Sequence, residues 1–103
     1  MPTLEEVMVY LGIDYPDDVS TANAEIALAA AKATLFGAVG DDVEDLLPGD
    51  PRAAELVMIY ADDLYSNRGV SAKVSGATRR LVQDMELQLR MTLRRKRAEV
   101  TET

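Results

Sequence analysis

At 103 residues, with 48% apolar residues and a formal net charge of -7, the chain has the size of one small domain and enough apolar surface to build a core. It contains no cysteine and no histidine, so disulfides and thiolate metal sites are excluded, and the commonest general base and imidazole ligand are missing. With aromatic residues at only 5%, the core is thin, and assembly with other chains is one way to add the burial it lacks.

The first element is announced by Thr3-Leu4-Glu5-Glu6, which has the spacing of a capping box. A short helix is expected from Leu4 to about Leu11, with Leu4, Val7, Met8 and Leu11 on one face and Gly12 ending it. Ile13 to Asp18 reads as a loop, because Pro16 disfavours helix at Tyr15 and the acids repel one another. A second helix should begin at Asp18 or Ser20 and run to about Phe36, its inner stripe made by Ala24, Leu28, Ala31 and Leu35. Gly37 and Gly40 are its expected stops, and a polar connector follows, pinned by Val43, Leu46 and Leu47.

The clearest helix is PRAAELVMIYADDLYSNRG, Pro51 to Gly69. Asp50 is placed to cap its first turn, and Pro51 sits where a missing N–H is harmless. Its apolar residues fall on two adjacent stripes, Ala53/Val57/Tyr60/Leu64 and Ala54/Met58/Ala61/Tyr65, so its first part should be buried. It turns polar at Asp62 and Asp63 and should end exposed. Beyond Gly69, VSAKVSGATRR has no clean period and reads as a loop. A last helix is expected from about Ala77, using Leu81, Val82, Met85 and Leu89. Between Leu87 and Arg94 apolar and polar residues also alternate, which is a strand pattern, so this stretch supports two readings. Arg94-Arg95-Lys96-Arg97 and the residues after them are expected to be a mobile tail. The whole is an all-α domain over residues 1–93, with two longer antiparallel central helices, shorter helices at each end, and a basic, flexible C-terminal tail over residues 94–103.

Charge divides the chain more sharply than the net value shows. Residues 1–63 hold 14 acids and 2 bases, and residues 64–103 hold 4 acids and 9 bases. Such a bipolar subunit suits head-to-tail self-association or two ends that meet different partners. An ordinary solvated surface with a loose basic end is the plainer reading. No segment has the pattern of a membrane span or a secretory signal, so the expectation is a soluble, unexported protein.

The residues offer little for chemistry. Asp41, Asp42, Glu44, Asp45 and Asp50 form an acidic cluster, but a calcium loop needs glycine at its sixth position, and Leu46 stands there. Asp62 and Asp63 are neighbours on a helix and so diverge, which argues against a catalytic pair. No nucleophile, base and orienter set is present, and neither a cofactor nor a metal is expected. The basic C-terminus is suited to phosphate contact, but no aromatic residue follows Tyr65 to stack on bases.

Several pieces occur together in order: Leu4-Glu5-Glu6-Val7 running to Leu11-Gly12-Ile13-Asp14, the alanine-rich second helix, Leu64-Tyr65-Ser66-Asn67-Arg68 closing the Pro51 helix, and Gln88-Leu89-Arg90. In this the chain resembles the head-tail connector, or adaptor, proteins of tailed phages, the group labelled DNA-packaging QLRG proteins. Met91 stands where that label has glycine. The resemblance implies a non-enzymatic virion protein at the head-tail junction, made in the host cytoplasm. It implies a homo-oligomeric ring beneath the portal protein, twelve-fold if matched to it, which extends the DNA channel and offers a platform for a downstream neck or tail-completion protein. Double-stranded DNA would pass without sequence-specific binding, and no membrane is involved. On this reading Asp62, Asp63, Tyr65, Asn67 and Arg68 are the expected subunit contacts. Leu87, Leu89, Arg90, Met91, Leu93, Arg94, Arg95, Lys96 and Arg97 are the expected portal or partner contacts, becoming ordered on binding. The alternatives are a DNA-binding packaging or regulatory protein, such as a small terminase-like subunit, and a helical protein-binding module.

Overall fold

A computed structural model of the chain describes residues 1–15, 17–66 and 76–102. Among them are five helices and no strand: α1 (Leu4–Tyr10), α2 (Asp18–Val39), α3 (Val43–Leu46), α4 (Pro51–Ser66) and α5 (Gly76–Glu102). The all-α class expected from the sequence is the class observed.

Local chemistry sets the helix starts. The Thr3 hydroxyl accepts from the Glu6 N–H at 3.2 Å while the Glu6 carboxylate accepts from the Thr3 N–H at 3.1 Å, a complete capping box. Asp17 and Ser20 make a second one at the head of α2, with Asp17 Oδ1 accepting from the Ser20 N–H at 2.7 Å. Those hydrogen bonds, the backbone one foremost, hold the Asp17 carboxyl below its ordinary pKa. At α4, Asp50 Oδ1 accepts from the Arg52 N–H at 2.9 Å, as the Asp50-Pro51 pair predicts.

The helices pack around one cluster. α2 contributes Leu28, Ala31, Leu35 and Val39, and α4 folds back along it with Ala53, Leu56, Val57 and Ala61. α1 adds Val7, the α3 turn adds Val43, and α5 closes the cluster with Leu89 and Leu93, both fully buried. α4 is buried in its first part, while Asp62, Asp63 and Leu64 are exposed, as its apolar pattern predicts.

Three expectations need correction. α2 does not stop at Gly37 but continues to Val39, because Leu35 and Val39, one turn apart, are both buried and their packing outweighs the glycine. The C-terminal helix is the longest of the five, at 27 residues, and not a short one. It runs unbroken through Arg94-Arg95-Lys96-Arg97 to Glu102, so the strand alternative at Leu87–Leu93 is excluded, and there is no break at residue 93 beyond which a loose tail begins. The physical reason is the burial of Leu89 and Leu93, four apart on a helix; on a strand their alternation with Leu87 and Met91 would have put all four on one face.

Beyond Leu93, α5 is held to the rest of the domain by a charged clamp. Arg97 donates through Nε to Asp42 Oδ2 at 2.7 Å and through Nη2 to Asp42 Oδ1 at 2.6 Å. Gly40 makes room for it, with φ at 133° and a position where an added Cβ would collide with the Arg97 guanidinium. Two turns earlier, Arg90 Nη1 donates to the Ala38 carbonyl at 3.2 Å, reaching the C-terminal end of α2.

Candidate assembly surfaces

The surface left by this packing has charge at its edges and uncovered apolar side chains between. On α2, Val19 and Ile26 are 70% and 68% exposed, opposite the buried stripe. Between Asp18 and Val39 this helix holds only three charged residues, Asp18, Glu25 and Lys32, so it is apolar nearly all round. On α5, Leu87 and Met91 are 51% and 57% exposed and face away from Leu89 and Leu93. Helices with two apolar sides are normally covered on both.

The sequence-predicted contact residues divide accordingly. Leu89 and Leu93 are occupied in the chain's own core and present no surface to a partner, which corrects their assignment as contacts. Leu87, Met91, Arg94 and Arg95 are exposed on α5, with no carboxylate paired to Arg94 or Arg95 among the described residues. Arg90 lies 3.9 Å from Glu86, Lys96 lies 3.7 Å from Glu99, and Arg97 is taken by Asp42. Asp62 and Asp63 are exposed near the end of α4, and Tyr65 is half-buried. Asn67 and Arg68 lie outside the described residues. The segment from Leu87 to Arg97 lies within α5 and is helical throughout in the single chain.

Two hollows flank these elements. One, of about 260 Å³, opens between the start of α1, the α3 turn and the first half of α4, and its walls include Val43, Leu47, Ala54 and Met58 with Glu6 and Glu44 at the rim. Nearby, burial pushes the Tyr10 phenol up in pKa, and the carboxylates of Glu55 and Asp62 add to the effect, which places α1 beside the acidic outer side of α4. Asp50 lines the same hollow but is neutralised by Arg52, whose guanidinium donates to it at 3.0 and 3.2 Å and holds its carboxyl below the ordinary range. Arg52 also donates to the Thr92 hydroxyl at 3.3 Å and so ties the head of α4 to α5.

The second hollow lies between α4 and α5, beside Tyr60, Arg79 and Glu86. There the Tyr60 hydroxyl donates a short hydrogen bond to the Glu86 carboxylate, and burial, then that bond, push the Tyr60 phenol well above its ordinary pKa. The tyrosine is held protonated against the Glu86 carboxylate, and the bond ties α4 to α5. Among the described residues, no group of three acidic, histidine or cysteine side chains converges as a metal site, and no helix is long and apolar enough to cross a membrane.

Sequence reasoning missed the first hollow, because its walls come from Met1, Val43 and Met58, which only the tertiary fold brings together. It also missed the Asp42 clamp, whose partners are 55 residues apart.

No family model matches the chain. Over 62 residues it is 37% identical to the transcription elongation factor GreA of Rickettsia bellii, in strains OSU 85-389 and RML369-C. The match takes in 60% of this chain and 38% of each of those proteins, so the chain spans well under half the length of the curated relatives it matches. No solved structure matches it significantly.

Proposed function

We propose that this chain is a subunit of a tailed-phage head-tail connector: a non-enzymatic protein that forms a ring under the portal protein, extends the DNA channel and offers a platform to a downstream neck or tail-completion protein. The observation that carries the reading is the pair of uncovered apolar faces on different helices, Val19 and Ile26 on α2 and Leu87 and Met91 on α5. A ring subunit meets both copies of itself and the proteins on either side of the ring, so it needs more than one such face, and a monomeric domain needs neither. The division between an acidic front and a basic back supports the same arrangement, since each copy then offers its neighbour the opposite charge.

Light scattering coupled to size exclusion, over a range of protein and salt concentration, with and without a portal protein, tests this. A closed oligomer of many copies, alone or on the portal, is the expected result. A chain that stays monomeric and ignores the portal overturns it.

The partial match to a transcription elongation factor favours a second reading, a helical module that docks on a component of the transcription machinery. A stable one-to-one complex with RNA polymerase and no ring would decide for it. The DNA-binding alternative requires duplex affinity in the absence of any other protein.

A further inference from the structure

The hollow beside α1 and the outer side of α5 match each other. The hollow has an apolar floor, including Leu47 and Met58, and its rim holds Glu6 and Glu44. Glu6 gives one carboxylate oxygen to the α1 capping box, and Glu44 has no ion-pair partner among the described residues. The outer side of α5 shows Leu87, then Met91 one turn on, then Arg94 and Arg95 one turn further, so it is apolar for two turns and basic for the next. This stripe cannot reach the hollow of its own chain. Leu89 and Leu93 hold the opposite side of the same helix in the core, so the stripe faces away from its own domain.

We propose that the α5 stripe of one copy, Leu87, Met91 and Arg95, seats on the acidic-rimmed hollow between α1, α3 and α4 of the next copy. Met91 covers the apolar floor, and Arg94 and Arg95 meet Glu44 and Glu6. Each copy uses one surface as donor and a different one as acceptor, so the contact is heterologous and repeats until rotation closes it. This inference rests on the ring reading for that closure, and it names the faces that meet.

The chain has no cysteine, so an introduced pair reports without background. Pro48 is exposed in the lining of the hollow, so Met91→Cys and Pro48→Cys together, under mild oxidation, are expected to give a ladder of covalent multimers, while either substitution alone gives monomer. In parallel, Glu44→Arg or Arg95→Glu alone should weaken self-association about tenfold, and the two reversals in one chain should restore most of it. These residues are exposed, and unchanged circular dichroism confirms that folding is kept. Dimers from Met91→Cys alone would overturn the proposal, since α5 would then be pairing with itself. Full-size assembly with no ladder and no response to Glu44→Arg would overturn this interface and leave the ring reading standing. Failure to assemble at any concentration, with or without the portal, would overturn both.

Discussion

The Arg97 guanidinium holds the Asp42 carboxylate by two parallel hydrogen bonds, of 2.7 and 2.6 Å, and so fixes the far part of α5 against the turn between α2 and α3. Bidentate geometry makes this a directional contact as well as an electrostatic one.

Its pH dependence has a definite sign. The hydrogen bonds from Arg97 hold the Asp42 carboxyl below its ordinary pKa, so the clamp is complete at neutral pH and is lost as pH falls through that depressed value. Protection of the amides over residues 94–100, expressed relative to the intrinsic exchange rate at each pH, should therefore fall on acidification, and Asp42→Asn should show the lower protection at neutral pH but match the wild type once the Asp42 carboxyl is protonated. Added salt should speed exchange as well, because both groups are partly open to solvent.

Gly40 and Gly37 should respond oppositely to alanine. At Gly40 the backbone has φ 133°, and a Cβ would lie 3.0 Å from Asp42 Oδ1 and 3.2 Å from Leu93 Cδ2 besides striking Arg97. Gly40→Ala is expected to destabilise the domain by about 1–3 kcal/mol. Gly37 sits inside α2 with nothing near its missing Cβ, so Gly37→Ala should stabilise by about 0.5–1 kcal/mol. Urea midpoints of the two variants, measured side by side, check both signs.

Leu93→Ala should cost about 2–5 kcal/mol, since the side chain is fully buried and its removal leaves a cavity. Met91→Ala, two residues away and 57% exposed, should change the stability of the domain by no more than about 0.5 kcal/mol, and in the proposed assembly it should weaken the contact between copies. Equal losses of stability at the two positions would contradict the helical placement of this segment.

Tyr60→Phe removes the hydrogen bond to Glu86 and should cost about 0.5–1.5 kcal/mol. The phenol pKa is raised in the folded chain, so its contribution is complete below the ordinary tyrosine pKa and is lost as pH rises through the raised one. A tyrosinate absorbance titration should show a late-ionising fraction from Tyr60 and Tyr10, whose pKa values are both raised, and the part due to Tyr60 should vanish in the phenylalanine variant.

What could be read from the sequence was whatever neighbours in the chain decide. Thr3 with Glu6 and Asp50 with Pro51 mark their helix starts by contacts within one turn, and both starts are where the spacing puts them. The course of α5 was not legible, because Leu87 to Leu93 fits a strand and a helix alike until Leu89 and Leu93 are seen inside the core. The expected contact residues on α5 followed from the resemblance and the run of apolar and basic residues, and neither tells the exposed Met91 from the buried Leu93. That distinction needs the helical phase, which tertiary packing fixes.

The basic run Arg94 to Arg97 has a smaller reach than its formula suggests. Arg97 is neutralised by Asp42 and Lys96 stands 3.7 Å from Glu99, which leaves Arg94 and Arg95 free to meet phosphate. A duplex held by this run would displace about two counterions and not four, giving a logarithmic salt slope of about -1.8. Two neutralised phosphates are a small electrostatic contribution, and in an assembly built as proposed even these two arginines would face Glu44 and Glu6 of the next copy, leaving this run little to offer a duplex.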